Sequence, residues 1–236
     1  MTAEDANFAD DNVEVRRSAS NSPYKTLDRL GRKRLSENFF FRDFLYSEIA
    51  MAYGVANLPE DEELAIEAGK GLCENLLEPL HARFGTVHIR SAYRSPTINA
   101  LGNKKGHNCS ANERNRAKHI WDWPDADGNL GATACIVIPA FYDAFDQPGD
   151  WTELAWWIHD HLPYNSIYFF KRDTRWAFNL NWNSSDKPER KIDSYEGRFE
   201  DGKWTTKRIL TRAGMHGHDG DHSHKYARLT DRLGLR

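Results

Sequence analysis

Cysteine is scarce in this sequence, and long apolar runs are missing. The three cysteines, Cys73, Cys109 and Cys135, are too few to build a disulfide framework. No stretch approaches the roughly 20 apolar residues that a membrane-spanning helix needs. The acidic, polar N-terminus also lacks the apolar segment of a signal peptide. We therefore predict no membrane span, and we expect synthesis in a bacterial cytoplasm without a signal peptide.

An excess of one charge is also missing. The 32 Lys and Arg residues nearly balance the 35 Asp and Glu residues, which leaves a net charge of -3. This balance does not predict a general nucleic-acid-binding surface. Aromatic residues, in contrast, are plentiful, with 8 Trp, 9 Tyr and 12 Phe in 236 residues. Such a composition suits a globular core, or a surface that faces carbohydrate or protein.

Helices are predicted in the first third of the chain. Ser36 is a typical N-cap residue, and we predict a helix over 36–52 that Gly54 ends. A longer helix is predicted over 59–84, because apolar residues recur there at every fourth position: Leu64, Ala68, Leu72, Leu76, Leu80 and Phe84. Further along the chain, a helix over 151–162 is rich in tryptophan.

Short strands are predicted over 86–90, 134–138, 166–170 and 175–182, and the last two form an antiparallel pair around a turn at Asp173. The predicted fold class is α+β, with a small antiparallel sheet packed against helices. Three segments are predicted: a polar N-terminal arm over 1–35, the α+β domain over 36–197, and a C-terminal hairpin with a His-rich tail over 198–236. The polar N-terminal segment is typical either of a disordered terminus or of an arm that orders on a neighbouring subunit.

Two motifs carry a family resemblance. Residues 91–99 read Ser-Ala-Tyr-Arg-Ser-Pro-x-x-Asn, and residues 131–136 read Gly-Ala-Thr-Ala-Cys-Ile. They resemble the signature turn and the Gly-x-Ala-x-Asp-Ile strand of the zinc D-alanyl-D-alanine carboxypeptidases and Hedgehog-type domains, over roughly residues 36–195. The resemblance implies a Hedgehog/D,D-peptidase-like fold in which Tyr93 and Arg94 bind the substrate.

The chain departs from this family at the residues that carry its chemistry. The family binds zinc through a His, an Asp and a later His, and uses a Glu as base. By resemblance Cys135 occupies the Asp position, Asn179 the later His and Phe170 the Glu. Gly128 occupies the position of the first zinc-binding His. His119, nine residues earlier, takes that role only if the loop between them carries an insertion.

These departures favour a domain without catalytic activity. Catalytic zinc needs three protein ligands and a bound water, whereas the Asn carbonyl is neutral and Phe cannot accept a proton. The alternative is an active zinc peptidase with His119 and Cys135 as ligands, Asp122 as base and Arg94 on the substrate carboxylate. Its third ligand would come from one of four residues: His107, Cys109, His159 or His161.

The C-terminal segment contains four closely spaced histidines, His216, His218, His222 and His224. Alternating residues of an extended strand share one face, so these side chains are candidates to bind a transition metal. A flexible polar tail is the other interpretation. A metal-bridged interaction module is therefore a third functional hypothesis.

The expected setting follows by analogy from the resemblance. A peptidoglycan-peptidase-like domain without a signal peptide is typical of a bacteriophage particle. We therefore expect a virion structural protein that contacts other virion subunits through its N- and C-terminal arms. Its groove would contact cell-wall glycan or peptide. The resemblance implies no cofactor, or zinc if the site is intact.

Overall fold

A computed structural model describes residues 22–145, 150–170, 177–200 and 203–234 of the chain. The helices that precede the first strand are α1 Pro23–Gly31, α2 Arg42–Leu45, α3 Glu48–Tyr53, α4 Glu62–Leu72 and α5 Glu78–Phe84. The later helices are α6 Pro96–Lys104, α7 Asn112–Asn115, α8 Pro139–Ala144, α9 Trp151–His161 and α10 Ala227–Arg232. The strands are β1 His88–Ser91, β2 Gly131–Val137, β3 Ser166–Phe169, β4 Phe178–Asn183, β5 Lys191–Glu200 and β6 Lys203–Thr211.

The strands form one six-stranded sheet in the order β1-β2-β4-β3-β5-β6. Neighbouring strands are antiparallel except for β3 and β5, which are parallel. The predicted α+β class is confirmed, and so is the antiparallel pairing of β3 with β4. The turn predicted at Asp173 lies outside the described residues. Strand β5 crosses residue 197, where the boundary between the domain and the C-terminal segment was predicted.

The core lies between the sheet and the N-terminal helices. Strand β2 is buried along almost its whole length, as its apolar sequence predicts, and α4 packs against it and against β4. Leu30 and Leu35, which belong to the predicted N-terminal arm, are buried in this core. Residues 1–21 of that arm lie outside the described residues.

The single helix predicted over 36–52 is wrong, because the chain forms α2 and α3 there with a break between them. The Ser36 hydroxyl donates to Glu78 Oε1 at 2.7 Å, so it caps no helix. Ser47 is the true N-cap of α3, and its hydroxyl accepts from the backbone N–H of Ala50 at 3.3 Å. Gly54 ends α3 in the left-handed conformation, as predicted.

The helix predicted over 59–84 is present but not uniform. It begins at Glu62, where the Asp61 carboxylate caps the first turn, and it ends at Phe84 before Gly85. A π-helical turn, Cys73–Leu77, joins α4 to α5. This wider turn precedes Pro79, whose missing N–H removes one α-helical hydrogen bond.

The C-terminal segment folds back onto α9. Tyr226 and Leu229 are buried, and Arg228 pairs with Asp150 and Glu153. The described part of this segment is thus docked and is not a flexible tail. Among the described residues, no helix has the length and apolarity to cross a membrane.

The four C-terminal histidines do not share one face, which corrects the expectation of an alternating metal-binding strand. His218 and His222 are buried, whereas His216 and His224 are exposed. The chain turns at Gly217 and Gly220, both with positive φ, so the regular alternation of an extended strand is lost.

Candidate ligand-binding groove

A cavity of about 600 Å³ opens beside one face of the sheet. We call it the groove. The start of α3 and the end of β1 form two of its sides, and the loop after α6 forms a third. Its floor comes from the sheet, and four of the lining side chains belong to different strands or strand ends: Ser91, Cys135, Asn179 and Tyr168.

The strand register explains why these four residues meet. Ser91 pairs with Cys135, Cys135 with Asn179, and Asn179 with Tyr168, so they form one row across β1, β2, β4 and β3. Paired residues of antiparallel strands point to the same face, with Cβ atoms about 5 Å apart. The row therefore presents a continuous strip of side chains to the groove.

The loop that carries His119 is fixed to the sheet. Thr133 donates its backbone N–H to Lys118 O at 2.8 Å, and Arg94 donates its own to His119 O at 2.8 Å. The side-chain amide of Asn181 lies 3.1 Å from Ala117 O. A Cβ at Gly131 would lie only 2.3 Å from that same carbonyl oxygen, so this close approach requires glycine.

His119 presents one unprotonated nitrogen. Its Nδ1 lies 2.8 Å from Ala92 O, and because a carbonyl only accepts, Nδ1 carries the proton. Burial, with a contribution from the Arg94 charge, lowers the pKa of His119 to about 3. The ring is therefore neutral at neutral pH, and its Nε2 can accept a hydrogen bond or bind a metal.

Positive charge dominates the groove. Arg90 and Arg94 line it, and Glu48 is the one acidic residue among the described residues that do so. The Arg94 guanidinium contacts Cys109 Sγ at 2.7 Å. Burial raises the pKa of Cys135 to about 11, although Arg90 opposes the shift. Cys135 is therefore a neutral thiol at neutral pH, and the two guanidinium groups favour an anionic ligand.

The residues of the groove do not fit a catalytic zinc ion. His119 and Cys135 both line the groove, together with His107 and Cys109. Among the described residues, however, neither His119 nor Cys135 belongs to a group of three His, Cys, Asp or Glu ligand atoms within 4.8 Å of one another. The other two candidates, His159 and His161, lie on α9 outside the groove. A catalytic zinc site needs three such ligands.

Asp122, the predicted base of an active enzyme, lies outside the groove lining. Its carboxylate accepts from the backbone N–H of Glu60 at 2.7 Å and from the Tyr93 hydroxyl at 3.2 Å. Burial raises the pKa of both Asp122 and Tyr93. These contacts connect the loop before α4 to the turn that carries Arg94. The Tyr93 hydroxyl is bonded to Asp122, so Arg94 is the residue of this turn that offers a charged group to a ligand.

Sequence reasoning missed the contribution of α3 to the groove. Glu48 of α3 lines it together with Tyr46, which precedes the helix, and the Tyr53 hydroxyl at the end of α3 lies 2.8 Å from Nε2 of His107, another lining residue. The prediction of one helix over 36–52 hid the break that brings these side chains to the rim. The sequence carries no local signal for this placement, which leaves Tyr46 56% exposed.

Comparisons with known proteins assign no family to this chain. No family model matches it, and neither a curated protein nor a solved structure gives a significant match. The functional interpretation therefore depends on the chemistry of the groove and on the motifs in the sequence.

Proposed function

We propose that this chain is a non-catalytic, peptidase-like structural protein of a bacteriophage particle, and that its groove binds the carboxylate end of a cell-wall peptide. One observation supports this most strongly. Five residues that match zinc, base or substrate positions of the resemblance line one groove, with His119 in place of Gly128 at the first zinc position, although they are scattered along the chain: Arg94, His119, Cys135, Phe170 and Asn179.

The groove retains the means to bind such a peptide. The Arg94 guanidinium, supported by Arg90, is suited to a carboxylate. His119 Nε2 accepts a hydrogen bond, and the Asn179 amide both donates and accepts. Tyr168 and Phe170, whose ring centroids lie 4.8 Å apart, add an aromatic wall at the end of β3.

The means to cut the peptide are absent from the described part of the groove. His119 and Cys135 lack a third metal ligand there. By resemblance Phe170 occupies the position of the base, and a phenylalanine cannot take a proton from water. Asp122 is occupied by backbone and tyrosine contacts. We therefore expect binding without hydrolysis.

A single assay tests both halves of this proposal. A peptide ending in D-alanyl-D-alanine is added to the protein with and without Zn²⁺, its affinity is measured by calorimetry, and its integrity is measured by mass spectrometry. We expect binding without cleavage. We also expect at least about tenfold weaker binding in Arg94→Gln or after amidation of the peptide carboxylate, since a hydrogen bond to a charged group contributes about 1.5–3 kcal/mol.

Arg114→Gln is the matched control, because Arg114 is exposed on α7 and does not line the groove. Equal binding by wild type and Arg94→Gln would refute the proposed site. Zinc-dependent cleavage that Cys135→Ser abolishes would favour the second candidate, an active zinc-dependent peptidoglycan peptidase. The observation that favours this second candidate is the neutral His119 ring, whose Nε2 is the nitrogen that can bind a metal.

The proposed position in a virus particle rests on analogy with the peptidase-like resemblance and on the polar composition of residues 1–21. The terminal segments would bind neighbouring virion subunits. Mass spectrometry of purified particles, with chemical cross-linking, tests this directly. We expect peptides of this chain in the particle and cross-links from residues 1–21 to another subunit. Particles that lack the chain would refute this part of the proposal.

A further inference from the structure

A second cluster of polar side chains lies where the C-terminal segment docks on α9. His159 and Asp160 belong to α9, and His222 comes from the docked segment. The ligand atoms of these three side chains all lie within 4.8 Å of one another. His159 and His222 are both buried, at 5% and 4% exposure. The cluster lies on α9 and does not take part in the groove.

Both ring nitrogens of His222 face hydrogen-bond acceptors. Nδ1 lies 2.7 Å from Asp160 Oδ1, and Nε2 lies 3.0 Å from Gly217 O. The backbone N–H of His222 also donates to Asp160 Oδ2 at 3.0 Å. A neutral imidazole has one N–H to donate, so a neutral ring satisfies one of the two contacts.

His159 has a similar shortage of hydrogens. Its Nε2 lies 2.8 Å from His218 O, and its Nδ1 lies 2.7 Å from the Tyr164 hydroxyl, which is 2.9 Å from Arg190 O. A neutral ring and the hydroxyl supply two hydrogens for these three contacts.

We propose that His159, Asp160 and His222 bind a divalent transition-metal ion of the Zn²⁺ type, which fastens the C-terminal segment to α9. Two imidazole nitrogens and one carboxylate oxygen are a typical ligand set for zinc. The ion takes the place of the proton between His222 and Asp160, and that proton is released to solvent. A water molecule or a nearby carbonyl oxygen fills the fourth position.

The surrounding charges also favour a cation. Asp160 lies beside Asp219 and Asp221, which line the same polar cavity, and Arg190 is the one basic residue opposite them in that described lining. The Arg190 guanidinium is directed to the backbone, where it donates to His159 O and Leu162 O. It therefore leaves the carboxylates available to the ion.

The test uses the full chain, freed of metal with a chelator and then titrated with Zn²⁺ alone. Binding is followed by calorimetry and by metal analysis after dialysis. We expect one zinc per chain in the wild type. The affinity should fall at least about tenfold in His222→Gln and in Asp160→Asn, since even partners outside the ligand shell cost that much when removed. The controls His216→Gln and His224→Gln alter exposed histidines of the same segment and should bind zinc like the wild type.

A measurement on the wild type guards against variants that misfold. Hydrogen exchange of residues 212–234 should slow when Zn²⁺ is added, because the ion joins that segment to α9. The proposal is overturned if the wild type binds no zinc, if its exchange is unchanged, or if both His222→Gln and Asp160→Asn retain full affinity. Zinc lost only in Cys135→Ser would place the ion in the groove and would also overturn it. Peptide binding to the groove is measured separately, so either proposal can fail alone.

Discussion

Lowering the pH should destabilise this protein through His119. The pKa of the buried ring is about 3, against an ordinary value of 6.5 that applies in the unfolded chain. As the pH falls below 6.5, the unfolded chain takes up a proton at this residue and the native protein does not. The stabilisation from a neutral His119 is therefore complete above pH 6.5 and is lost progressively as the pH falls towards 3.

The magnitude follows from these two pKa values. Between pH 7.5 and pH 5, the preferential protonation of the unfolded chain at His119 should lower the free energy of unfolding by about 2 kcal/mol. This result depends little on the native pKa, provided that it lies well below 5. His119→Asn removes the titration and keeps a side-chain N–H for the Ala92 carbonyl, so its stability should depend less on pH by this amount.

The assay is urea unfolding, followed by tryptophan fluorescence at pH 7.5 and at pH 5. His216→Asn, which alters an exposed histidine, is the control and should follow the wild type. Buried His159 also titrates below its ordinary value, but it contributes equally to all three proteins. If His119→Asn loses as much stability as the wild type between the two pH values, then the neutral, buried state of His119 is refuted.

Two further substitutions test the packing that holds the groove and the docked segment. A Cβ at Gly71 would lie 2.3 Å from the Trp182 ring, so Gly71→Ala should destabilise the fold by about 1–3 kcal/mol and change tryptophan fluorescence; unchanged stability would contradict this contact between α4 and β4. Arg228→Ala removes the guanidinium that the buried Asp150 and Glu153 share, and about 1–3 kcal/mol should be lost. Urea unfolding measures both, and an unaltered midpoint in Arg228→Ala would show that the docked segment does not depend on this pair.

Much of the fold could be predicted because the signals are local. The apolar run at β2 and the four-residue repeat of α4 and α5 come from neighbouring residues of one element, and each predicts its own burial. The separation of His159 and His161 by two positions on one helix predicts that they point in different directions, and in the structure His159 is buried whereas His161 is exposed.

The prediction of one helix over 36–52 was wrong because a distant contact decides the local structure. Ser36 binds Glu78, 42 residues later, and a β-bridge joins Arg34 to Phe40. These contacts hold the chain in a bend where an N-cap was expected. A single sequence contains no local sign of a partner so far away.

The candidate site was predictable only through motif resemblance. Cys135 and Asn179 were matched to a zinc ligand set by their sequence context, and the register of β2 and β4 later brought them together. The cluster of His159, Asp160 and His222 carries no such motif. It depends on how the C-terminal segment turns at Gly217 and Gly220, which residue types alone do not determine.

The claim that the groove is an altered zinc-peptidase site has one direct test. Cys135→Asp and Asn179→His together introduce, beside His119, the ligand types that the zinc-peptidase resemblance implies, at paired positions whose Cβ atoms lie about 5 Å apart. Zinc content is measured for this double variant, for the wild type, and for the double variant with His119→Asn. We predict one more zinc per chain in the double variant than in the wild type, and its loss when His119 is also replaced. A folded double variant that binds no more zinc than the wild type would contradict the account.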